Sequence, residues 1–147
     1  MTYPDTSFLI PMYTPEPQAS LVKRYLAEDT PDLIFTPFHR LEFRTGIRVR
    51  VFRRSLSQDQ LRQAMRLSDE DLLDGILQHT PLVWADALRE AERLGEAHLT
   101  EIGARSGDLL HVASAVVLGA KEFVTFDQRQ RELARRAGLK VKAWKLA

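Results

Sequence analysis

Short apolar segments alternate with longer amphipathic stretches along this chain. The segments that predict strands or strand edges are Tyr3, Phe8–Ile10, Leu33–Phe35, Leu82–Trp84, Phe123–Phe126 and Leu139–Val141. Most of them are followed by residues that typically begin helices. Because strands that alternate with helices form parallel sheets covered on both faces, the pattern predicts an α/β architecture.

Proline, serine and glycine positions predict where the helices begin and end. Two helices are expected to begin at prolines, one from Thr14–Pro15 to about Glu28 and one from Pro37 to about Arg54. Two more are expected to begin at serine caps, Ser57 with Gln60 as its capping partner and Ser68 with Asp71 as its partner. The last three are expected to end at glycines: Ala85–Leu94 with a stop at Gly95, a helix from a Ser106 cap to Leu118 before Gly119, and Gln128–Ala137 before Gly138.

The helix that begins at Pro37 has two candidate buried faces. At about 100° per residue, one stripe collects five residues, and Glu42 falls at its margin. That stripe, predicted to face the core, is Phe38, Leu41, Thr45, Val49 and Phe52. Three apolar residues lie off it and are expected either to form a partner surface or to pack under residues 55–79. They are Phe43, Ile47 and Val51.

Length and composition narrow the class of protein. The chain has 147 residues, which predicts a single domain over residues 1–147. It has no cysteine, which excludes disulfides, cysteine-ligated metals and thiol catalysis. No apolar run is long enough to span a membrane, and the start Met1–Asp5 does not resemble a signal peptide, so a cytoplasmic protein without membrane contact is expected.

Four acidic residues are candidates for a common site. Asp5 lies at the end or in the middle of the first short apolar segment, and Asp127 ends the segment Phe123–Phe126. Asp108 lies in the first turn of a predicted helix, and Glu42 lies about one turn into another. The carboxyl ends of parallel strands form the usual functional crevice of such sheets. Oxygen ligands alone suit Mg²⁺ or Mn²⁺, which activate water for attack on a phosphodiester. The alternative is that each acid is a cap, a turn residue or, for Glu42, the partner of Arg40 or Arg44.

Several of these segments together resemble the PIN-domain nucleases, and most closely the VapC-type toxins of bacterial toxin–antitoxin pairs. The resemblance spans nearly the whole chain and is weak in residues 55–104. The segments that carry it are Tyr3-Pro-Asp5-Thr-Ser7, Glu42, Arg105-Ser-Gly-Asp108-Leu-Leu-His111, Phe123-Val-Thr-Phe-Asp127 and Gly138-Leu-Lys-Val141. Pro4 departs from the family, which usually has an apolar residue there, and predicts a short first strand.

The resemblance implies a three-layer α/β/α sandwich around a parallel β-sheet and a Mg²⁺- or Mn²⁺-dependent endoribonuclease. It implies that Asp5, Glu42, Asp108 and Asp127 form the catalytic, metal-holding cluster. Asp5 and Asp108 would ligate directly. Glu42 would ligate directly or orient metal-bound water, and Asp127 would act through water or place a second ion. Ser7 and Thr125 have hydroxyls suited to bonding these carboxylates. A cognate antitoxin and a homodimer are implied as partners.

The formal charge of +1 conceals a segregation of charge along the chain. Residues 1–67 carry a net +3, residues 68–108 a net −7 and residues 109–147 a net +5. Two basic stretches that flank acidic residues are suited to an RNA backbone led over a metal site. The arginines expected to contact RNA are Arg40, Arg44, Arg48, Arg105 and Arg129. Solvated helix faces are the alternative interpretation.

Two other classes of function remain open from the sequence. The domain can keep the fold and act as a catalytically inactive RNA- or protein-binding module, although four intact acidic residues argue against this. It can also be a phosphatase or receiver-like domain with an acidic pocket for a small phosphorylated partner. Metal binding tests the first alternative, and turnover of p-nitrophenyl phosphate without RNA cleavage would support the second.

Overall fold

The computed structural model describes residues 1–144, within which the chain forms five strands and seven helices. In chain order these are β1 (Thr2–Pro4), α1 (Thr6–Tyr13), α2 (Ala19–Asp29), β2 (Leu33–Phe35), α3 (Pro37–Phe52), α4 (Gln58–Leu73), β3 (Leu77–His79), α5 (Trp84–His98), α6 (Ser106–Val117), β4 (Glu122–Val124), α7 (Gln128–Arg136) and β5 (Lys140–Val141). Within that range, no helix is long and apolar enough to cross a membrane.

The chain divides into two compact units. The first unit contains Met1–Asp5 and the chain from Pro81 onward, and the second contains Thr6–Thr80. In the first unit, β1 and β5 both pair in parallel with β4, and Tyr3 lies opposite Phe123. In the second unit, β2 and β3 pair in parallel, with Leu33 opposite Leu77. The predicted α/β class with parallel strands is therefore confirmed.

Strand β1 and most of β4 are buried in the core of the first unit. Tyr3, Phe123 and Val124 are fully buried, and the rings of Tyr3 and Phe123 stack with centroids 5.4 Å apart. The hydroxyl of Tyr3 lies 2.9 Å from Nδ1 of the buried His111 on α6, so both polar groups are satisfied inside the core. This contact anchors α6 against β1.

Two of the predicted strands are wrong. Phe8–Ile10 lies in α1, whose residues Phe8 to Pro11 are all buried. A short helix buried on all sides has the same continuous apolar run as a buried strand, so periodicity does not separate them. Leu82–Trp84 forms no strand, since Trp84 begins α5. The strand of this region is β3, in which only Leu77 is a buried apolar residue.

Several predicted helix boundaries also need correction. The helix predicted from Thr14–Pro15 begins at Ala19, because the Thr14 hydroxyl instead bonds the Ile10 carbonyl at the end of α1. The two helices predicted from Ser57 and Ser68 are the single helix α4. Its Ser57 cap is confirmed, and Ser68 lies inside it, bonding the Met65 carbonyl.

Two further corrections concern the first unit. Helix α5 continues through Gly95 to His98, and the Gly95 carbonyl accepts from the Leu99 N–H as an ordinary helical residue. The cap of α6 is Arg105, and Ser106 is the first helical residue. The predicted glycine endings of α6 and α7 are confirmed, with Gly119 and Gly138 at φ of 67° and 87°.

The buried face of α3 is the opposite of the predicted one. Phe43 and Ile47 are buried, whereas Leu41 is 66% and Phe52 87% exposed. His39 lies on the same buried face, where it accepts the Thr36 N–H through Nδ1 and completes a capping box. A polar residue therefore marks the inward face, which an apolar stripe could not reveal.

Candidate functional site

Asp5 lies at the carboxyl end of β1 and is fully buried. Its carboxylate Oδ2 accepts a 2.6 Å hydrogen bond from the hydroxyl of Thr125, which is also fully buried and follows β4. Because β1 and β4 are parallel neighbours, their carboxyl ends place these two side chains together. The hydroxyl of Thr125 therefore helps to satisfy the carboxylate of Asp5 inside the core.

Asp127 is joined to the same hydroxyl. The Asp127 N–H donates to Thr125 Oγ1 at 2.9 Å, and Asp127 Oδ1 caps α7 by accepting the Gln130 N–H at 2.9 Å. Asp127 is therefore both the cap of α7 and a neighbour of the Asp5–Thr125 pair. Its position after β4 agrees with the sequence prediction, while a role in metal binding stays a prediction.

Asp108 lies in the first turn of α6, where exposed backbone N–H groups favour a carboxylate. Its Oδ2 accepts the Arg105 N–H and its Oδ1 accepts the side-chain amide Nε2 of Gln130, each at 2.9 Å. Gln130 thus connects two acidic residues, since its main chain bonds Asp127 and its side chain bonds Asp108. One continuous hydrogen-bonded network therefore links Asp5, Asp127 and Asp108 within the first unit.

Sequence reasoning missed Gln130, which is 6% exposed. A signal was available, because aspartate followed three residues later by glutamine is a helix-start pattern. That pattern places the glutamine side chain near the cap. Its amide oxygen Oε1 is buried and has no hydrogen-bond partner among residues 1–144.

Trp144 was also missed as a contact of this region. Its indole N–H donates to the Thr125 carbonyl at 2.8 Å, and its ring stacks on Phe126 with centroids 4.7 Å apart. The segment that carries Thr125 and Asp127 is therefore held by the chain that follows β5. An apolar residue near the end of a sequence gives no signal of such a contact.

Glu42 lies on α3 in the second unit and is half-buried. Its Oε1 accepts a 2.6 Å hydrogen bond from the hydroxyl of Thr6 in α1. The two arginines considered as its partners from the sequence, Arg44 and Arg40, lie 3.2 and 4.0 Å from the carboxylate of Asp69. Ser7, also in α1, is half-buried, and its predicted role beside the acidic residues stays a prediction.

The candidate RNA-binding arginines differ in what they contact. Arg105 and Arg129 are exposed in the first unit, and Arg48 is exposed on α3 in the second. Arg40 and Arg44 share Asp69, which lowers the free positive charge of that stretch. In the second basic stretch, Lys145 lies outside the described residues.

One arginine of the second basic stretch is committed to an ion pair. The Arg136 guanidinium donates a hydrogen bond that holds the pKa of Glu101 below its usual range. Arg136 also pairs with Glu132, so its charge is neutralised on two sides. This guanidinium is therefore a structural contact of the surface rather than a free cation.

The acidic residues fit a hydrated divalent cation better than a fully protein-ligated one. Among residues 1–144, no group of three or more acidic, histidine or cysteine side chains is placed to hold a metal ion by itself. Mg²⁺, however, keeps several waters and is commonly bound through one or two carboxylates together with substrate phosphates. The oxygen-only donor set, and the unpartnered amide oxygen beside it, suit such an ion.

The family model of the PIN domain matches residues 2–136. The chain belongs to the PIN-domain family. Among the curated proteins, none matches the chain in sequence.

Three solved structures share the fold of this PIN-domain chain. FitAcB from Neisseria gonorrhoeae has 16% identity and a TM-score of 0.65 over 96% of both chains. VapC20 of Mycobacterium tuberculosis, a Sarcin-Ricin loop cleaving toxin, has 17% identity and a TM-score of 0.64 over 95% of this chain and 96% of its own. VapBC2 from Rickettsia felis, bound to a DNA fragment from its promoter, has 17% identity and a TM-score of 0.64 over 99% of this chain and 100% of its own. The predicted α/β/α fold around a parallel sheet is confirmed.

Proposed function

We propose that this PIN-domain protein is a Mg²⁺- or Mn²⁺-dependent endoribonuclease and the toxin of a toxin–antitoxin pair. The observation that carries the proposal is the network in which Thr125 and Gln130 tie Asp5, Asp127 and Asp108 together at the carboxyl ends of two parallel strands. One fully buried and two half-buried carboxylates on a single network form a cluster of oxygen donors suited to a cation. Membership of the PIN-domain family supports a nuclease function for this arrangement.

The acidic residues have distinct parts in the proposal. Asp5 and Asp108 are the direct ligands, and Asp127 acts directly or through water. Glu42 is kept as the fourth acidic residue because the family resemblance implies it. A bound divalent cation would neutralise charge on the phosphodiester and make water a stronger nucleophile. Thr125 and Gln130 would keep the carboxylates turned toward the cation by occupying their other lone pairs.

The RNA substrate is proposed to be held by arginines. Arg105 and Arg129 are exposed on the unit that carries the acidic network, and Arg48 is exposed on α3. Arg40 and Arg44 are included, although both face Asp69. Arginine suits phosphate because its planar guanidinium donates two parallel hydrogen bonds. The naming of the similar VapC20 as a Sarcin-Ricin loop cleaving toxin supports RNA over DNA as substrate.

The proposed partners are a cognate antitoxin and a second copy of the chain in a homodimer. Similarity to VapBC2 supports the antitoxin. The whole chain is proposed to act as one PIN domain, because the family match runs through both compact units. A cytoplasmic location follows from the proposed RNA substrate.

The test is cleavage of a panel of tRNA, rRNA and mRNA by the purified protein with Mg²⁺, with Mn²⁺ and with EDTA. Asp108→Asn is expected to abolish cleavage and remain folded, because an amide oxygen can still accept the Arg105 N–H. Asp86→Asn is the matched control, since Asp86 is also an acidic residue in the first turn of a helix of the first unit. Activity that persists in Asp108→Asn, or in EDTA, would contradict the proposal.

A further inference from the structure

The side-chain oxygen of Gln130 is an exception in a well-satisfied structure. Within residues 1–144, only Gln130 Oε1 and Arg131 Nε are buried side-chain polar atoms without a hydrogen-bond partner. A buried amide oxygen without a hydrogen-bond partner destabilises a fold, and most such atoms in proteins are paired. The oxygen therefore indicates a partner that residues 1–144 do not supply.

The surroundings of this oxygen decide what that partner is. The other atom of the same amide group, Nε2, donates to the carboxylate of Asp108, and the main-chain N–H donates to that of Asp127. An anionic ligand would be repelled by both carboxylates. A carbonyl oxygen can only accept, so its partner carries either a positive charge or a donated proton. A hydrated divalent cation offers both the positive charge and the donated proton, because Mg²⁺ keeps waters that donate hydrogen bonds.

Capping of α7 does not explain the side chain. The bond from residue 130 to Asp127 is made by the main-chain N–H, which every residue except proline would provide. A buried leucine or methionine would fill the same space without leaving an unpaired oxygen. The amide group is thus separable from the fold of the helix.

We propose that Gln130 is a positioning residue of the cation site: Nε2 fixes the Asp108 carboxylate, and Oε1 accepts a hydrogen bond from water that hydrates the cation. This inference rests on the proposed function, because it assumes that the acidic network holds a divalent cation. In this proposal the cation site contains the uncharged side chain of Gln130 in addition to the acidic residues.

The experiment measures Mn²⁺ binding by calorimetry, and thermal unfolding with and without Mn²⁺, in the absence of RNA. Gln130→Met keeps the volume and removes both polar atoms, and its Mn²⁺ affinity is expected to fall about tenfold. Gln130→Glu places a carboxylate beside Asp108, so its unfolding midpoint should fall without Mn²⁺ and rise more than that of the wild type when Mn²⁺ is added. Gln128→Met, an exposed position on the same helix, is the matched control and should bind as the wild type does.

The outcomes separate this inference from the proposed function. If the wild type binds no Mn²⁺, both are overturned. If the wild type binds Mn²⁺ and Gln130→Met binds it within twofold of the same affinity, only the role of Gln130 is overturned. Should Gln130→Met fail to fold, Gln130→Glu decides, because a Mn²⁺-induced gain no larger than that of the wild type overturns the inference.

Discussion

The hydroxyl of Thr125 lies 2.6 Å from the carboxylate oxygen Oδ2 of Asp5, although 120 positions separate the two residues in sequence. Both side chains are fully buried. The same hydroxyl accepts the Asp127 N–H, so a single oxygen atom connects the ends of two strands and the start of α7. Thr125 therefore joins Asp5 and Asp127 within the acidic network of Asp5, Asp108 and Asp127.

Replacing Thr125 by valine is expected to destabilise the protein by about 1–3 kcal/mol, because the shape is kept while the buried Asp5 carboxylate loses the hydroxyl donor of Thr125. Thr125→Ser is the control, since it loses a methyl group and keeps the hydroxyl. The measurement is the free energy of unfolding in urea. A valine variant as stable as the wild type, or more stable than the serine variant, would contradict the importance of this bond.

The sequence was sufficient for the class of fold and for the positions of three acidic residues. Asp5, Asp108 and Asp127 were placed correctly because strand ends and first turns of helices are local features with local signals. The links between them were not predictable in the same way. The bond from Gln130 to Asp108 depends on how α6 and α7 pack, and residues 22 positions apart carry no local signal of that packing.

The errors have a common physical origin in burial. Helix α1 was taken for a strand because its apolar residues are buried on every side. The predicted inward face of α3 is wrong because the buried residues are Phe43, Ile47 and the polar His39, while Phe52 is exposed. In both cases tertiary contacts outweigh the apolar periodicity of the segment.

Gly95 offers a test of the corrected helix α5. An added Cβ would lie 3.4 Å from Leu109 Cδ1 and 3.5 Å from Leu99 Cδ1, which is ordinary contact. Since glycine inside a helix is less favourable than alanine, Gly95→Ala is expected to stabilise the protein by about 0.5–1 kcal/mol. The measurement is the unfolding midpoint in urea.

Gly138→Ala is the contrasting variant for the same measurement. Its Cβ would meet nothing within 4 Å, but the residue has a φ of 87°, which strains any side chain. It is expected to destabilise the protein by about 1 kcal/mol. Equal effects of the two substitutions would contradict the backbone assignments, because the added Cβ meets no clash at either position and only the left-handed conformation of Gly138 is strained by it.

Ionisation of Tyr13 is expected to lower the free energy of unfolding at alkaline pH. Burial, followed by the hydrogen bond to Asp71, raises the pKa of Tyr13 well above its usual value of 10.0. The folded state therefore holds the proton more tightly than the unfolded state does. The stabilisation is complete below pH 10 and is lost as pH rises above it, by up to about 1.4 kcal/mol per pH unit.

The measurement for Tyr13 is the free energy of unfolding of the wild type and of Tyr13→Phe between pH 7 and 11. The phenylalanine variant lacks the bond to Asp71 and is expected to be about 0.5–1.5 kcal/mol less stable at neutral pH. That difference should shrink above pH 10. A difference that stays constant to pH 11 would show that Tyr13 ionises equally in both states.

Asp69 is expected to weaken RNA binding in the wild type. Its carboxylate lies 3.2 Å from Arg44 and 4.0 Å from Arg40, so it competes with phosphate for two of the proposed RNA-binding arginines. Exposed pairs of this kind are worth about 0.2–1 kcal/mol. Asp69→Asn should therefore raise RNA affinity by about two- to fivefold and steepen its dependence on salt.

RNA affinity is measured by fluorescence anisotropy in EDTA, at several salt concentrations, for the wild type and both variants. Asp59→Asn is the matched control, because Asp59 lies on the same helix and pairs with Arg62, which is not a proposed RNA contact. It removes the same charge from α4, so a general electrostatic effect would raise affinity equally in both variants. A gain confined to Asp69→Asn places Arg40 and Arg44 at the RNA backbone, whereas equal gains would remove them from the proposed interface.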